Sequence, residues 1–207
     1  MLVKHIYFRF KRITVGAMGE VPKIRVLVLD FDGVITFLRI DWGFVRYLAS
    51  EVAGFEIRSL LDFWRDYFGS DVFFRVSELV EGFEVEAAEV AEPVPEVAEL
   101  IREAAGRGVK VYVATMQSEA SVILFLRKHG LINYVTDVLS REDLPTKKDM
   151  LKHILESEGV RPEEVVFVDD SEKNIASCRE LGVRCVHARG NPGHVAELVR
   201  KLLKLSS

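Results

Sequence analysis

The chain has 207 residues, of which 49% are hydrophobic, so it can bury the core of one large domain or of a domain with a sizeable insertion. Its formal net charge of -4 at pH 7 argues against a nucleic-acid partner, because there is no basic excess to neutralise phosphates. No apolar run approaches the roughly 20 residues of a membrane span, and the first residues lack a secretory signal, so we expect a cytoplasmic protein without a membrane partner.

With only Cys178 and Cys185 there is no disulfide framework, and we expect two buried thiols.

Apolar runs of strand length alternate with helical patterns from Ile24 onward. Residues 1–23 precede this rhythm as an N-terminal extension that fits an edge strand or a loose arm, and we assign it no function. Continuous apolar runs are typical of strands buried on both faces of a parallel sheet. The predicted strands are Val26–Asp30, Val109–Thr115, Tyr134–Leu139, Val165–Asp169 and Arg184–Ala188. The pattern predicts an α/β fold, a Rossmann-like three-layer sandwich.

Residues 37–92 interrupt the alternation. They carry helical patterns rich in aromatic residues, including two short helices around Val76–Gly82 and Val85–Glu92, and no strand-length aliphatic run. This segment could be an insertion with its own small core. We favour a helical cap over the end of the first strand, because the insertion begins just after that strand ends. The prediction is therefore an α-helical cap at 37–92 and an α/β core at 24–36 and 93–207.

Polar residues follow the predicted strands at the edge where an open α/β sheet binds its ligands. The first strand runs straight into Asp30 and Asp32, two like charges whose burial is costly without a compensating partner. The other strands are followed by Thr115, by Lys147 and Lys148, and by Asp169 and Asp170. If the sheet is correct, carboxylates, a hydroxyl group and an ammonium group converge from four loops.

This set of groups has a chemical logic. A hard divalent cation such as Mg²⁺ relieves the repulsion of crowded carboxylates and prefers carboxylate, water and phosphate oxygens. A lysine and a hydroxyl group can bind the remaining phosphate oxygens. One aspartate can attack phosphorus and form an aspartyl-phosphate, and a second carboxyl group can protonate the leaving alcohol. The pattern predicts magnesium-dependent chemistry on a small phosphate ester.

Three segments resemble motifs of the haloacid dehalogenase superfamily. The segment DFDGVIT at Asp30–Thr36 is similar to its first motif, VYVATMQS to its second and VVFVDDSEKNI to its fourth. The resemblance covers Ile24 to about Leu205, with a weaker match in the cap. It implies the fold of that superfamily, with a helical cap inserted after the first motif.

The resemblance also implies roles for individual residues. Asp30 would be the nucleophile and a metal ligand, and Asp32 the general acid and base, with its backbone carbonyl on the metal. Thr115 would bind phosphate. Lys147 would be the third-motif lysine, with Lys148 as the alternative.

The fourth motif implies the remaining metal ligands. Asp170 would be the main carboxylate of this motif on the metal, with Asp169 as its neighbour. Asn174 stands where many members carry a further acidic residue, so the outer surroundings of the metal differ from the usual pattern.

We therefore expect a magnesium-dependent phosphatase acting on a small phosphorylated metabolite. Asp32 argues against dehalogenation, which has no leaving alcohol to protonate. Phosphonate hydrolysis would need a cap lysine, and there is no lysine from Phe37 to Pro93. A phosphomutase and a non-catalytic module that binds a phosphate ligand remain the alternatives.

Overall fold

The structure is a computed structural model that describes residues 22–205, so the prediction for the N-terminal extension lies almost entirely outside the described residues. Its strands are β1 Val26–Leu29, β2 Lys110–Ala114, β3 Asp137–Leu139, β4 Val165–Asp169 and β5 Arg184–His187. Its helices are α1 Trp42–Ala53, α2 Leu60–Asp66, α3 Asp71–Val90, α4 Pro95–Gly106, α5 Glu119–Lys128, α6 Lys147–Glu158, α7 Glu172–Glu180 and α8 Pro192–Leu205. Among these residues, no helix combines the length and the apolar character that crossing a membrane requires.

The five strands form one sheet in the order β3-β2-β1-β4-β5, and every neighbouring pair is parallel. Leu29, the last residue of β1, pairs with Val113 of β2 and Val168 of β4. The carboxyl ends of the three central strands therefore meet at one edge, as the sequence predicts.

Alternate residues of β1 serve the two faces of the sheet, and all four are buried. Leu27 and Leu29 belong to a core shared with α4, α5 and α8. Val26 and Val28 belong to a second core shared with α6 and α7, which also includes apolar residues of α1, α2 and α3. Because successive side chains of a strand point to opposite faces, these two cores confirm the three-layer sandwich.

Two elements differ from the prediction. β3 is only Asp137–Leu139, because Ile132–Tyr134 forms a 3₁₀ turn before it. The two short helices expected around Val76–Gly82 and Val85–Glu92 are one continuous helix, α3. The Ser70 hydroxyl caps the start of this helix, and a buried stripe runs along its length at helical spacing: Phe73, Val76, Val80, Glu84 and Ala88. Packing of that stripe stabilises the helix through Gly82 despite the poor helix propensity of glycine.

The helices α1, α2 and α3, which we call the inserted helices, leave and rejoin the core through paired backbone segments. The Val94 N–H donates to the Ile35 carbonyl at 2.8 Å, and the Thr36 hydroxyl donates to the Glu92 carbonyl at 2.8 Å. Thr36 and Pro93 form an antiparallel bridge. The insertion thus begins and ends beside the loop that follows β1.

The prediction of two free thiols is wrong. Cys178 and Cys185 form a disulfide, with their Cα atoms 6.2 Å apart. Cys178 lies on α7 and Cys185 on β5, and the chain turns between them at Gly182, which has a φ of 78°. Counting two cysteines could not reveal that this turn folds the helix back onto the next strand and brings the sulfur atoms together.

Candidate active site

Asp30 lies directly beyond the end of β1. Its N–H continues the ladder by donating to the Val168 carbonyl at 2.9 Å, and its side chain is buried. The carboxylate accepts a hydrogen bond from the Phe31 N–H at 2.7 Å through Oδ1. Its Oδ2 lies 2.5 Å from Nζ of Lys147.

Lys147 is the first residue of α6 and is also buried. Its Nζ contacts Oδ2 of Asp30 at 2.5 Å and Oδ2 of Asp169 at 2.6 Å. The next residue, Lys148, instead pairs with Glu180 near the surface. The structure therefore brings Lys147 rather than Lys148 to the aspartates, although the role of the lysine stays a prediction.

Asp169 is the last residue of β4, which neighbours β1, and Asp170 follows it. The Asp169 carboxylate is fully buried and accepts hydrogen bonds from the Ser171 N–H at 2.8 Å and from Nδ2 of Asn174 at 3.1 Å. Asp30, Asp169 and Asp170 each offer a carboxylate oxygen within 4.8 Å of the others, and we call these three residues the acidic cluster. Asn174, where an acidic residue is common in the superfamily, acts here as a hydrogen-bond donor to the cluster.

Gly33 makes room for the acidic cluster. Its φ of 83° lies in the left-handed region that favours glycine. A Cβ atom at this position would lie 2.4 Å from Oδ2 of Asp170 and 2.7 Å from its Cγ. A side chain at residue 33 would displace the Asp170 carboxylate, so the glycine lets Asp170 keep its place in the acidic cluster.

Burial and mutual repulsion shift the pKa values of these groups. Burial raises the pKa of Asp30 well above its ordinary value, Lys147 opposes the shift, and Asp169 and Asp170 add to it. Burial and the Asp169 charge raise the pKa of Asp170. Burial alone would lower the pKa of Lys147, but the charges of Asp169 and Asp30 outweigh it and raise the pKa.

The acidic cluster fits a divalent cation. Within the described part of the chain, three carboxylates face the single ammonium group of Lys147, so negative charge is in excess. The donor atoms are all oxygen, which suits a hard cation such as Mg²⁺ better than a metal that prefers nitrogen or sulfur. Such an ion would relieve the repulsion between the carboxylates, which adds to the effect of burial in raising the pKa values of Asp30 and Asp170.

Asp32 lies near the acidic cluster but does not belong to it. Its Oδ1 accepts a hydrogen bond from the Leu38 N–H at 2.8 Å, which turns the carboxyl group toward the start of the insertion. Burial raises the pKa of Asp32, the Leu38 N–H opposes the shift, and the Asp170 charge adds to it. A carboxyl group with a raised pKa holds its proton more readily, as a general acid must.

Thr115 follows β2 and is fully buried. Its N–H donates to the Leu139 carbonyl at 2.9 Å, so it lies at the same edge of the sheet as Asp30. Its hydroxyl group donates to Oε1 of Gln117 and accepts from the Gln117 N–H at 3.3 Å. The structure thus places Thr115 at the predicted edge with its hydroxyl group bonded to Gln117.

Two cavities lie between the inserted helices and this edge. One, of about 220 Å³, is lined by Lys147 and by the cationic side chains of Arg65 and Lys173. The other, of about 370 Å³, is lined by aromatic, apolar and cationic residues that include Trp42, Trp64, Arg46 and Arg58. Leu61 and Met116 line both cavities, so the two spaces adjoin. Cationic lining favours an anionic substrate.

A buried ion pair, which the sequence did not lead us to expect, joins Glu84 of α3 to Arg141 in the segment after β3. Neither residue belongs to a recognisable motif. One signal was available, because Glu84 falls four residues after Val80 and four before Ala88 on the apolar stripe of its helix. A carboxylate on such a stripe requires a buried partner.

Comparisons with known proteins agree with this geometry. Residues 49–188, more than half of the chain, match the family model described as haloacid dehalogenase-like hydrolase. That match begins after the loop of Asp30 and Gly33, so the first motif rests on the sequence and the geometry alone.

Individual relatives also match part of the chain. The chain is 28% identical over 106 residues to a phosphoglycolate phosphatase of Vibrio vulnificus, a match that covers 47% of this chain and 46% of that protein. It thus spans about half the length of the phosphoglycolate phosphatases it matches.

Solved structures share the fold at low identity. A protein from Haemophilus somnus assigned as a phosphoglycolate phosphatase has a TM-score of 0.61 at 15% identity, covering 88% of this chain and 100% of that one. A protein from Thermotoga maritima assigned as a beta-phosphoglucomutase has a TM-score of 0.55 at 16% identity, covering 86% and 99%. Taken with the family match and the arrangement of the strand ends, these likenesses show that the chain belongs to the haloacid dehalogenase-like hydrolase family.

Proposed function

We propose that this protein is a magnesium-dependent phosphatase that hydrolyses a small phosphate monoester through an aspartyl-phosphate on Asp30. The observation that carries the proposal is the acidic cluster, in which three carboxylates from two neighbouring strands meet with one lysine between two of them. Asp30 and Asp169 are buried and Asp170 is exposed, and an excess of negative charge around two buried carboxylates is costly unless a cation and a phosphate group complete the site.

Each group in the site has a separate part in the reaction. Asp30 attacks phosphorus, and Lys147 binds the phosphate oxygens and stabilises their charge. Asp32 protonates the leaving alcohol and later takes a proton from the water that cleaves the aspartyl-phosphate. Thr115 contributes a hydroxyl group to a phosphate oxygen by exchanging its bond to Gln117.

Magnesium would be held by Asp30, by Asp170 with Asp169 beside it, and by the backbone carbonyl of Asp32. When bound, the ion supplies positive charge that offsets the carboxylates and the phosphate dianion. The Gly33 position supports this assignment, since any side chain there would displace the Asp170 carboxylate.

We also propose that the inserted helices, within residues 37–92, act as a cap that encloses the substrate and selects it. The two cavities between these helices and the strand ends support this role, because residues of the inserted helices and residues of the core line both of them. Phosphoglycolate is the first substrate to test, since the matched Vibrio vulnificus proteins carry that name.

The test is hydrolysis of p-nitrophenyl phosphate and a panel of phosphate monoesters, including phosphoglycolate, with added Mg²⁺ and with a chelator. We expect phosphate release that requires the metal. Transfer of the phosphoryl group to a sugar phosphate instead of water would identify a phosphomutase. Binding of phosphate without metal-dependent turnover of any ester would contradict the enzyme proposal and favour a binding module.

A further inference from the structure

The ion pair of Glu84 and Arg141 joins the inserted helices to the core. Nη1 of Arg141 lies 2.7 Å from both carboxylate oxygens of Glu84, and the two side chains are 0% and 1% exposed. Burying both charges is costly, and it is tolerated only where the remaining donors and acceptors are also satisfied. Their other contacts therefore indicate what the pair holds in place.

Both members of the pair bond to the backbone of the segment after β2. Arg141 donates from Nη1 to the Met116 carbonyl at 3.1 Å. Glu84 accepts from the Ser118 N–H at 3.0 Å through Oε2. The pair thus holds the chain on both sides of Gln117, the residue bonded to the Thr115 hydroxyl group.

The other end of Arg141 is fixed on the inserted helices. Its Nε donates to the Ser77 hydroxyl at 2.8 Å and its Nη2 to the Ser77 carbonyl at 3.2 Å. Its guanidinium carbon lies 4.8 Å from the centre of the Trp64 ring, a cation–π distance. A movement of α2 or α3 relative to the core would therefore pull on the backbone next to Thr115.

We propose that Glu84 and Arg141 are positioning residues that hold the Thr115–Ser118 segment in the geometry that binds phosphate. This proposal rests on the proposed function, because it assumes that Thr115 contacts the phosphate group. It makes the affinity for phosphate depend on two buried residues that lie outside the acidic cluster.

The main test replaces the pair together, as Glu84→Leu with Arg141→Met. Exchange of a buried ion pair for apolar residues of similar volume is often neutral or stabilising, but here it also leaves buried polar groups without partners, so we expect a folded variant with a moderately lowered melting temperature. The Met116 carbonyl and the Ser118 N–H lose their side-chain partners, so kcat/KM for p-nitrophenyl phosphate should fall by about 10–100-fold, as expected for small displacements in an active site. Inhibition by inorganic phosphate should weaken in parallel.

The matched control is Glu103→Leu with Arg200→Met. This pair joins α4 to α8 with Nε and Oε2 2.9 Å apart, and it makes no contact with the Thr115–Ser118 segment. We expect wild-type values of kcat/KM and of the phosphate inhibition constant. An equal loss in both double variants would overturn the proposal, because it would show a general effect of removing ion pairs.

A second variant covers the case in which the double variant fails to fold. Glu84→Gln keeps an oxygen for the Ser118 N–H but loses the charge that holds the guanidinium group. We expect weaker phosphate inhibition in a protein that still folds, at a lowered melting temperature, because Arg141 keeps a buried charge without the Glu84 carboxylate. Wild-type inhibition by phosphate in Glu84→Gln, or wild-type kcat/KM in a folded double variant, would overturn the proposal.

The failure of this proposal can be distinguished from the failure of the proposed function. An inactive wild-type protein would contradict the phosphatase assignment. In that case the affinity of each variant for inorganic phosphate can still be measured by calorimetry and compared with that of the wild type. If the wild type neither turns over esters nor binds phosphate, both proposals fail. If the wild type is active and the double variant equals it, only the positioning role fails.

Discussion

The acidic cluster and the ion pair of Glu84 and Arg141 differ in their balance of charge. In the acidic cluster, Lys147 faces three carboxylates, and the net charge is negative. At the junction of the inserted helices and the core, Arg141 faces the buried Glu84 and the partly exposed Glu142, and its other guanidinium contacts are with Ser77 and Met116. The first site is incomplete without a ligand, whereas the second is complete in itself.

The comparison shows how a site for a ligand can be separated from a structural contact. Burial raises the pKa of both Asp30 and Glu84, so burial alone does not distinguish them. Lys147 opposes the rise in the pKa of Asp30, but the neighbouring carboxylates add to it. The rise in the pKa of Glu84 is opposed by Arg141 and by the backbone N–H and the hydroxyl group of Ser118. An excess of negative charge beside a cavity indicates that a ligand binds there. A buried charge that is paired with an opposite charge and fully hydrogen-bonded indicates a structural contact.

The largest expected effect is that of Asp30→Asn. Removal of the nucleophile should lower kcat for p-nitrophenyl phosphate by about three orders of magnitude or more. The melting temperature in the absence of metal should not fall, because one of three repelling carboxylates is gone. Asp137→Asn, which lies on the edge strand β3 with β2 between it and β1, is the control and should keep activity. Retained turnover in Asp30→Asn would remove this residue from the nucleophile role.

Lys147→Ala should have the next largest effect. It removes the ammonium group that contacts Asp30 and Asp169, so kcat/KM should fall by about 100-fold through lost charge stabilisation. Lys148→Ala removes a charge paired with Glu180 and should cost much less. The measurement is kcat/KM of both variants from steady-state kinetics. A larger loss in Lys148→Ala than in Lys147→Ala would show that Lys148 is the phosphate-binding lysine.

Gly33→Ala tests the fit of Asp170 in the acidic cluster. The control is Gly54→Ala, because Gly54 has a φ of 80° against 83° for Gly33 and no atom within 4 Å of an added Cβ. Both variants should lose roughly 1 kcal/mol or more of stability from backbone strain. Only Gly33→Ala should raise the Mg²⁺ concentration for half-maximal activity, by about tenfold. An equal magnesium requirement in both variants would contradict the proposed metal site.

The smallest expected effect is on thermal stability. Mg²⁺ at ten times its dissociation constant should stabilise the wild type by about 1.4 kcal/mol, which corresponds to a few degrees in melting temperature. The double variant of Glu84 and Arg141 should show the same increase, since its acidic cluster is intact. Asp30→Asn should show less. A wild-type melting temperature that does not respond to Mg²⁺ would show that the acidic cluster holds no such ion.

Much of the fold could be predicted because the patterns that indicate each strand and helix lie within short stretches of the sequence. The run Val26–Leu29 is buried on both faces in the structure, and its aliphatic residues predict such a strand directly. The end of that strand also predicts where Asp30 lies, since parallel strands bring their carboxyl ends to one edge. The sequence also shows a helical pattern that begins at Lys147, and in the structure Lys147 is the first residue of α6.

What the amino-acid sequence determined by itself was the alternation of strands and helices, the parallel sheet and the set of polar residues at its edge. Only the tertiary structure decided the disulfide of Cys178 and Cys185, the choice of Lys147 over Lys148 as the neighbour of Asp30, and the pairing of Glu84 with Arg141. Glu84 and Arg141 are 57 residues apart, and no periodicity links them. The physical reason is that apolar patterns specify which face of an element is buried, whereas the partner of a buried charge depends on how separate elements pack against each other.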